Sequence, residues 1–182
     1  MALQIGTDDL GKMEDPPAKG NYHVAITVVD EEGGNSGEMI VDMEILAGTT
    51  PQQEGRIWRA YYPPTIAFAK FFHRLAISTG LTTMEEVKKA ELEKRGITYE
   101  FTKMVGRQLM ITLHDEEYNG ETRTKMAPFH VWSVIDPKCA SWPKNEKMLK
   151  KGGYEIAKAE SKTTAKHETI PANESLLDDI NI

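Results

Sequence analysis

Cysteine is nearly absent from this chain of 182 residues, where Cys139 stands alone. A lone thiol excludes an internal disulfide and a cysteine-built zinc site, and a reducing cytoplasm is the expected home. Long hydrophobic runs are missing as well. No apolar stretch approaches the roughly 20 residues that span a bilayer, so no membrane partner is expected. The start of the chain, Met1 to Asp9, is acidic and lacks a basic segment leading into an apolar run, which argues against a secretory signal. Catalytic motifs are lacking too. There is no phosphate-cradling glycine loop followed by Lys and Ser or Thr, no nucleophile elbow and no paired-histidine helix motif. The five histidines (His23, His73, His114, His130 and His167) are dispersed, without zinc-ligand spacing to Cys139. A non-enzyme without a cofactor is the expectation.

Positive charge is also in short supply. The net charge of −6 speaks against a nucleic-acid partner for the chain taken whole, because phosphate contacts need Lys and Arg. The distribution softens that objection. Residues 1–19 carry 2 basic and 4 acidic groups, residues 152–182 carry 3 and 6, and 17 basic and 18 acidic groups remain for residues 20–151. The body is nearly neutral and has room for a basic groove. At 40% hydrophobic and 27% charged, the composition is that of an ordinary globular domain. Three regions follow: an extended lead-in over residues 1–19, a domain over 20–151, and a flexible, disordered acidic tail over 152–182.

Period-two alternation marks the first strand from Gly20, with Tyr22, Val24, Ile26 and Val28 on one face. A glycine-rich loop, Asp30 to Gly37, leads to a second strand with Met39, Val41, Met43 and Ile45 inward and Asp42 and Glu44 in water. The third strand is Gly55-Arg56-Ile57-Trp58-Arg59-Ala60-Tyr61-Tyr62, which alternation divides into Arg56, Trp58 and Tyr62 against Ile57, Arg59 and Tyr61. Residues Thr65 to Thr79 read as a helix with an apolar side of Phe68, Ala69, Phe72, Leu75 and Ala76. Gly80 is its stop, and Thr83-Met84-Glu85-Glu86 has capping-box spacing for a second helix ending near Gly96. Strand pattern returns at Gly106 to His114. Asn119-Gly120 signals a hairpin, and Thr122 to Ile135 is its partner, with Pro128 marking an edge or a bulge. Three strands, a helical insert and a hairpin predict a mainly β fold. The order fits a five-stranded antiparallel barrel of the oligonucleotide-binding (OB) kind, with helices between the third and fourth strands. Other small barrels and an open meander with flanking helices fit almost as well.

Flat rings beside cations are what a single-stranded nucleic acid requires, the rings for bases and the cations for phosphates. They occur in three places. The third strand offers Arg56, Trp58, Arg59, Tyr61 and Tyr62, and if Ile57 marks the core face, Arg56, Trp58 and Tyr62 form the platform. The final hairpin offers Arg107, Tyr118, Arg123, Lys125, Phe129, His130 and Trp132, with Trp132 divided between core and stacking roles. The segment from Lys138 to Lys151 offers Trp142, Lys144, Lys147 and Lys150. Asp115, Glu116 and Glu117 present carboxylates of the type that hold a divalent ion in a nuclease. Before Asn119-Gly120 they read more simply as a solvated hairpin loop. At the far end, Glu174 to Ile182 forms an acidic peptide with apolar residues, in which Asp178 and Asp179 steer towards a basic rim while Ile180 and Ile182 fill an apolar pocket on a partner.

A body of this kind followed by a spacer and Asp178-Asp179-Ile180-Asn181-Ile182 resembles the single-stranded DNA-binding proteins of bacteria and their phages. The body is also similar to small phage proteins encoded among replication and recombination genes, through Gly20-Asn21-Tyr22, Met39-Ile40-Val41 and Gly55-Arg56. The tip differs from the bacterial pattern in ending on Ile182 rather than on Phe after Pro, and in having only two consecutive acids. The resemblance implies non-sequence-specific binding of single-stranded DNA in the host cytoplasm, no catalysis, and recruitment of replication or recombination proteins through the tail. An edge strand offers a route to a homodimer. The alternative is a non-catalytic interaction module that inhibits a host nuclease or replication factor, which the net acidity favours.

Overall fold

The computed structural model describes residues 16–127 and 129–154. The expected lead-in up to residue 15, the bulge at Pro128 and the tail from residue 155 lie outside the described residues. Six antiparallel strands form the sheet: β1 (Gly20–Asp30), β2 (Met39–Gly48), β3 (Ile57–Tyr62), β4 (Gln108–Tyr118), β5 (Glu121–Lys125) and β6 (Val131–Ser133). Their order is β3-β2-β1-β4-β5, with β6 also paired to β4. Closure into a barrel requires the two outer strands to pair. No such pairing is made among the described residues, so the sheet is open.

The inner face of the sheet carries the main core. Tyr22, Val24 and Ile26 of β1 pack with Met39, Val41, Met43 and Ile45 of β2 and with Leu109, Ile111 and Leu113 of β4. Every one of these follows from alternation, but Val28 does not. The β1–β2 register slips between Ile26 and Val28, and the extra residue of this bulge reverses the alternation. Val28 turns to solvent and Val29 packs against the core in its place.

Three helices surround the sheet: α1 (Ala69–Ser78), α2 (Met84–Leu92) and α3 (Glu146–Lys151). The insert between β3 and β4 supplies α1 and α2. Helix α1 buries Leu75 and Ala76, and Arg74 Nε and Ser78 Oγ both donate to the Val131 carbonyl of β6 (2.9 and 3.2 Å). It ends at Gly80, whose φ of 72° permits a Schellman cap. Leu81 N–H reaches the Ala76 carbonyl at 2.8 Å and Gly80 N–H reaches that of Ile77 at 3.0 Å, satisfying carbonyls the helix leaves open. The capping box that starts α2 is formed as its spacing predicts, with Glu86 N–H donating to Thr83 Oγ1 and Thr83 N–H to Glu86 Oε2. Only Ala90 of α2 is buried, in keeping with a charged surface helix.

The second half of the chain departs from expectation in three ways, two of them in the hairpin. Residues 115–117 belong to β4 rather than to a loop, and the turn itself is confined to Asn119 and Gly120, with φ of 53° and 80°. Positive φ at both positions is the tight hairpin geometry that matches strand twist. The single partner strand expected from Thr122 to Ile135 is two strands. β6 pairs with the first half of β4, while β5 pairs with its second half, beyond the reach of β1. The β4–β5 end therefore projects as a two-stranded arm in which residues 115–123 are all exposed.

A further difference concerns residues 137–154. Instead of an open basic segment, they fold over the outer face of β1 and β4 and build a second core from Met110, Trp132, Val134, Cys139 and Leu149. His23, wholly buried in β1, is the anchor. Asn145 N–H donates to its Nδ1 at 3.0 Å, which leaves the ring proton on Nε2 to reach Gln108 Oε1 at 2.9 Å. Gln108 Nε2 then donates to the Met148 carbonyl at 2.7 Å. Burial holds His23 in its neutral form, its pKa lowered to about 4.

Candidate nucleic-acid interface

Strand alternation assigns each candidate residue to a face, and β3 faces the opposite way from the platform expected. Trp58, Ala60 and Tyr62 turn inward, Tyr62 being only 2% exposed, and Trp58 is half-buried against the main core. Neither ring is free to stack on a base. The outward residues are Ile57, Arg59 and Tyr61, with Tyr61 57% exposed. Ile57 does not mark the core face. The reason lies in the partner strand, where Asp42 stands opposite Arg59. An acid and a base at one register position settle on the solvent side, which sends the neighbouring Trp58 and Ala60 to the core.

Asp42, expected in water, is 7% exposed, because the Arg59 guanidinium lies over it in a two-point ion pair with Nε–Oδ1 at 2.7 Å and Nη2–Oδ2 at 2.8 Å. The carboxylate raises the Arg59 pKa further through hydrogen bonding and charge. Arg56 lies just before β3, half-buried, and donates to Gln53 Oε1 at 3.0 Å.

The arm keeps its aromatic and basic residues together. His114, Glu116 and Tyr118 alternate onto one face of the ribbon, opposite Lys125, Arg123 and Glu121, and this face continues the outer side of the sheet through Met110 and Thr112. Arg123 sits 5.4 Å from the Tyr118 ring centre and is paired with Glu121 at 2.9 Å. Lys125 is paired with Glu116, whose pKa it lowers. The metal-binding possibility weakens on the same geometry. The pleat sends Glu116 away from Asp115 and Glu117, Asp115 is paired with Lys19 at 2.8 Å, and no group of three potential ligands is gathered among the described residues.

Four other candidates have structural partners. Arg107 donates through Nη1 to the Thr79 carbonyl (2.7 Å) and through Nε to that of Lys103 (3.2 Å), tying the end of α1 to the chain before β4. Trp132 is 6% exposed and enclosed by a stacked His130, the edge of Trp142 at 5.2 Å and the Lys138 ammonium 4.8 Å above its ring. Trp142 is thus a wall of the second core, and Lys144 Nζ donates to the Cys139 carbonyl within the same cap.

The residues brought to the surface are thus Ile57, Arg59 and Tyr61 on one margin of the sheet, and Tyr118, Arg123 and Lys125 on the other, with residues 137–154 lying over the strands between. Each surface ring has an arginine close by, and Arg59, Arg123 and Lys125 each already have a carboxylate partner. Sequence reasoning placed Tyr61 on the wrong side of the choice it posed, although the opposite charges of Asp42 and Arg59 carried the signal. The tip residues Asp178, Asp179, Ile180 and Ile182 lie outside the described residues. No helix among the described residues is long and apolar enough to cross a membrane. Comparison of the chain with protein-family models gives no match, and comparison with curated proteins gives none either.

Proposed function

We propose that this chain binds single-stranded DNA without sequence preference and without catalysis, in the manner of phage replication and recombination proteins. The observation that carries the reading is the outer side of β3, where exposed Tyr61 stands two residues from Arg59 on the β2–β3 surface. Oligonucleotide-binding barrels use the surface of strands 2 and 3 together with the loop joining strands 4 and 5. Their remaining contact, the loop joining strands 1 and 2, carries Glu31, Glu32 and Glu38 here and takes no part. The order β3-β2-β1-β4-β5 is that of such a barrel opened between its third and last strands. Tyr118, 53% exposed beside Arg123, supplies a second ring at the 4–5 hairpin. Bases stack on Tyr61 and Tyr118, and Arg59, Arg123 and Lys125 hold the backbone. The edge of β3, unpaired among the described residues, offers a second copy a place to pair, and the acidic tip at Asp178, Asp179, Ile180 and Ile182 recruits replication or recombination partners. Fluorescence anisotropy of a labelled thymidine oligonucleotide, read at low and high salt, tests the proposal. Saturable binding that weakens steeply with salt is expected; an unchanged anisotropy at low salt overturns it.

One observation favours a second reading, a non-catalytic module that inhibits a host nuclease or replication factor. Arg59, Arg123 and Lys125 are each neutralised by a carboxylate, and Val28, Ile57 and Tyr61 are each exposed on the β1–β3 side of the sheet. A stable complex with such an enzyme in the absence of DNA, together with no oligonucleotide binding, selects this reading.

A further inference from the structure

Between α1 and the loop joining β1 to β2 lies a cavity of about 260 Å³. Its walls are aromatic: Tyr62, Phe72, Tyr99 and Phe101, with Met39 beside them and the Glu31 carboxylate among the lining residues. Successive rings meet at tilted angles, with centroids 5.9 Å apart for Tyr62 and Phe72, 5.5 Å for Phe72 and Phe101, and 5.4 Å for Tyr99 and Phe101. The Tyr99 hydroxyl is engaged with His73 Nδ1 at 2.7 Å. The buried Tyr62 hydroxyl has no hydrogen-bond partner among the described residues, an arrangement that costs free energy in a folded interior unless something completes it.

Charge selects what completes it. The loop that supplies Glu31 also carries Glu32 and Glu38, follows Asp30 at the end of β1, and contains neither Lys nor Arg. One Glu31 oxygen accepts the Phe101 N–H at 3.1 Å. Of the neighbouring charges before β4, Glu100 holds Lys103 at 2.7 Å. Phosphate is repelled from such a mouth, whereas a cation is drawn to the carboxylates and then to the negative faces of the rings. We infer that this cavity is a binding site for an organic cation, a guanidinium or primary alkylammonium, whose N–H groups donate to Tyr62 Oη and Glu31 while its body lies against the rings. Guanidinium suits it best, since its plane stacks on aromatic faces and its donors form a fixed fork. The inference is independent of DNA binding, for the cavity uses none of Arg59, Tyr61, Tyr118 or Arg123.

Butylguanidinium and its uncharged isostere N-butylurea, titrated into the full chain and followed by backbone amide NMR shifts, provide the test. Saturable shifts at Glu31, Met39 and Phe101 are expected with butylguanidinium, and binding of N-butylurea about tenfold weaker or more, the difference a desolvated cation–aromatic contact supplies. Glu31→Gln, at an exposed position, lowers the cation's affinity several-fold, and Tyr62→Phe, which keeps the ring, lowers it as well. Oligonucleotide binding by Glu31→Gln stays unchanged, so failure here is distinct from failure of the DNA reading. A Gly-Arg-Gly peptide that competes with butylguanidinium identifies a protein side chain as the source of the cation, and a peptide that does not compete identifies a free small molecule. Equal affinity for N-butylurea, preferential binding of cytidine, or no saturable shift overturns the inference.

Discussion

Arg59 and Asp42 face each other across β3 and β2 and close a two-point ion pair of 2.7 and 2.8 Å. In this pair the carboxylate is buried and the guanidinium is more than half exposed. Asp42 needs Arg59 to stay folded away from water, whereas Arg59 has surface left to offer a ligand. Replacing Asp42 by Asn loosens the arginine, and thymidine-oligonucleotide affinity is expected to rise by about two- to fivefold as one competing charge is removed. Arg59→Ala acts the other way. It lowers that affinity and costs about 1 kcal/mol of stability, a modest figure because solvent screens the pair. Anisotropy titrations and urea melts of both variants read the two effects separately.

Tyr61 and Trp58, on opposite faces of β3, are predicted to differ in kind. Tyr61→Ala removes an exposed ring and is expected to weaken oligonucleotide binding by about 1 to 3 kcal/mol, the usual worth of a base-stacking aromatic, with little change in melting temperature. Trp58→Ala empties part of the core and costs about 3 kcal/mol of stability, while the folded fraction still binds. The same affinity loss in both variants would mean that β3 does not present its outer side to DNA.

Acid is expected to weaken the fold through His23. Its folded pKa lies near 4 against 6.5 for the free side chain, so the unfolded chain takes up the proton more readily. The contribution is fully present above about pH 6.5, declines as pH falls from there to about 4, and levels off below. At 1.36 kcal/mol per pKa unit the loss is at most about 3 kcal/mol. Burial lowers the pKa of His130 and His73 too, which adds to the same slope. Urea melts between pH 7 and 4.5 measure it, and an imidazole titration of His23 by NMR assigns its share.

Removing Glu174 to Ile182 is expected to leave the melting temperature unchanged and oligonucleotide affinity equal or higher, since nine residues bearing three acids no longer compete for the basic positions. Abolished DNA binding in that truncation would contradict the division of labour between body and tip.

Much of the fold was legible because its cues are local. Tyr22-Val24-Ile26 and Met39-Val41-Met43-Ile45 alternate cleanly, Thr83 and Glu86 stand three apart, and Asn119-Gly120 allows the positive φ its turn requires. What was missed depends on contacts distant in sequence. The bulge after Ile26 arises from pairing with β2, and no feature of β1 alone fixes where alternation reverses. The inward turn of Trp58 and Tyr62 follows from the Arg59–Asp42 register, a relation between strands. Lys138 to Lys151 reads as a basic, solvated stretch until Asn145 meets His23, because the apolar face that Leu149 covers belongs to β4 and β6.

That last contact joins residues 122 positions apart. On a chain made from its N-terminus, β1 emerges among the first elements and its outer face waits for almost the whole domain before its covering segment exists. Until then Met110 and Trp132 have no roof, and His23, still in water, titrates like any free imidazole. The second core is therefore completed only when the segment ending at Tyr154 has been made and has closed over it.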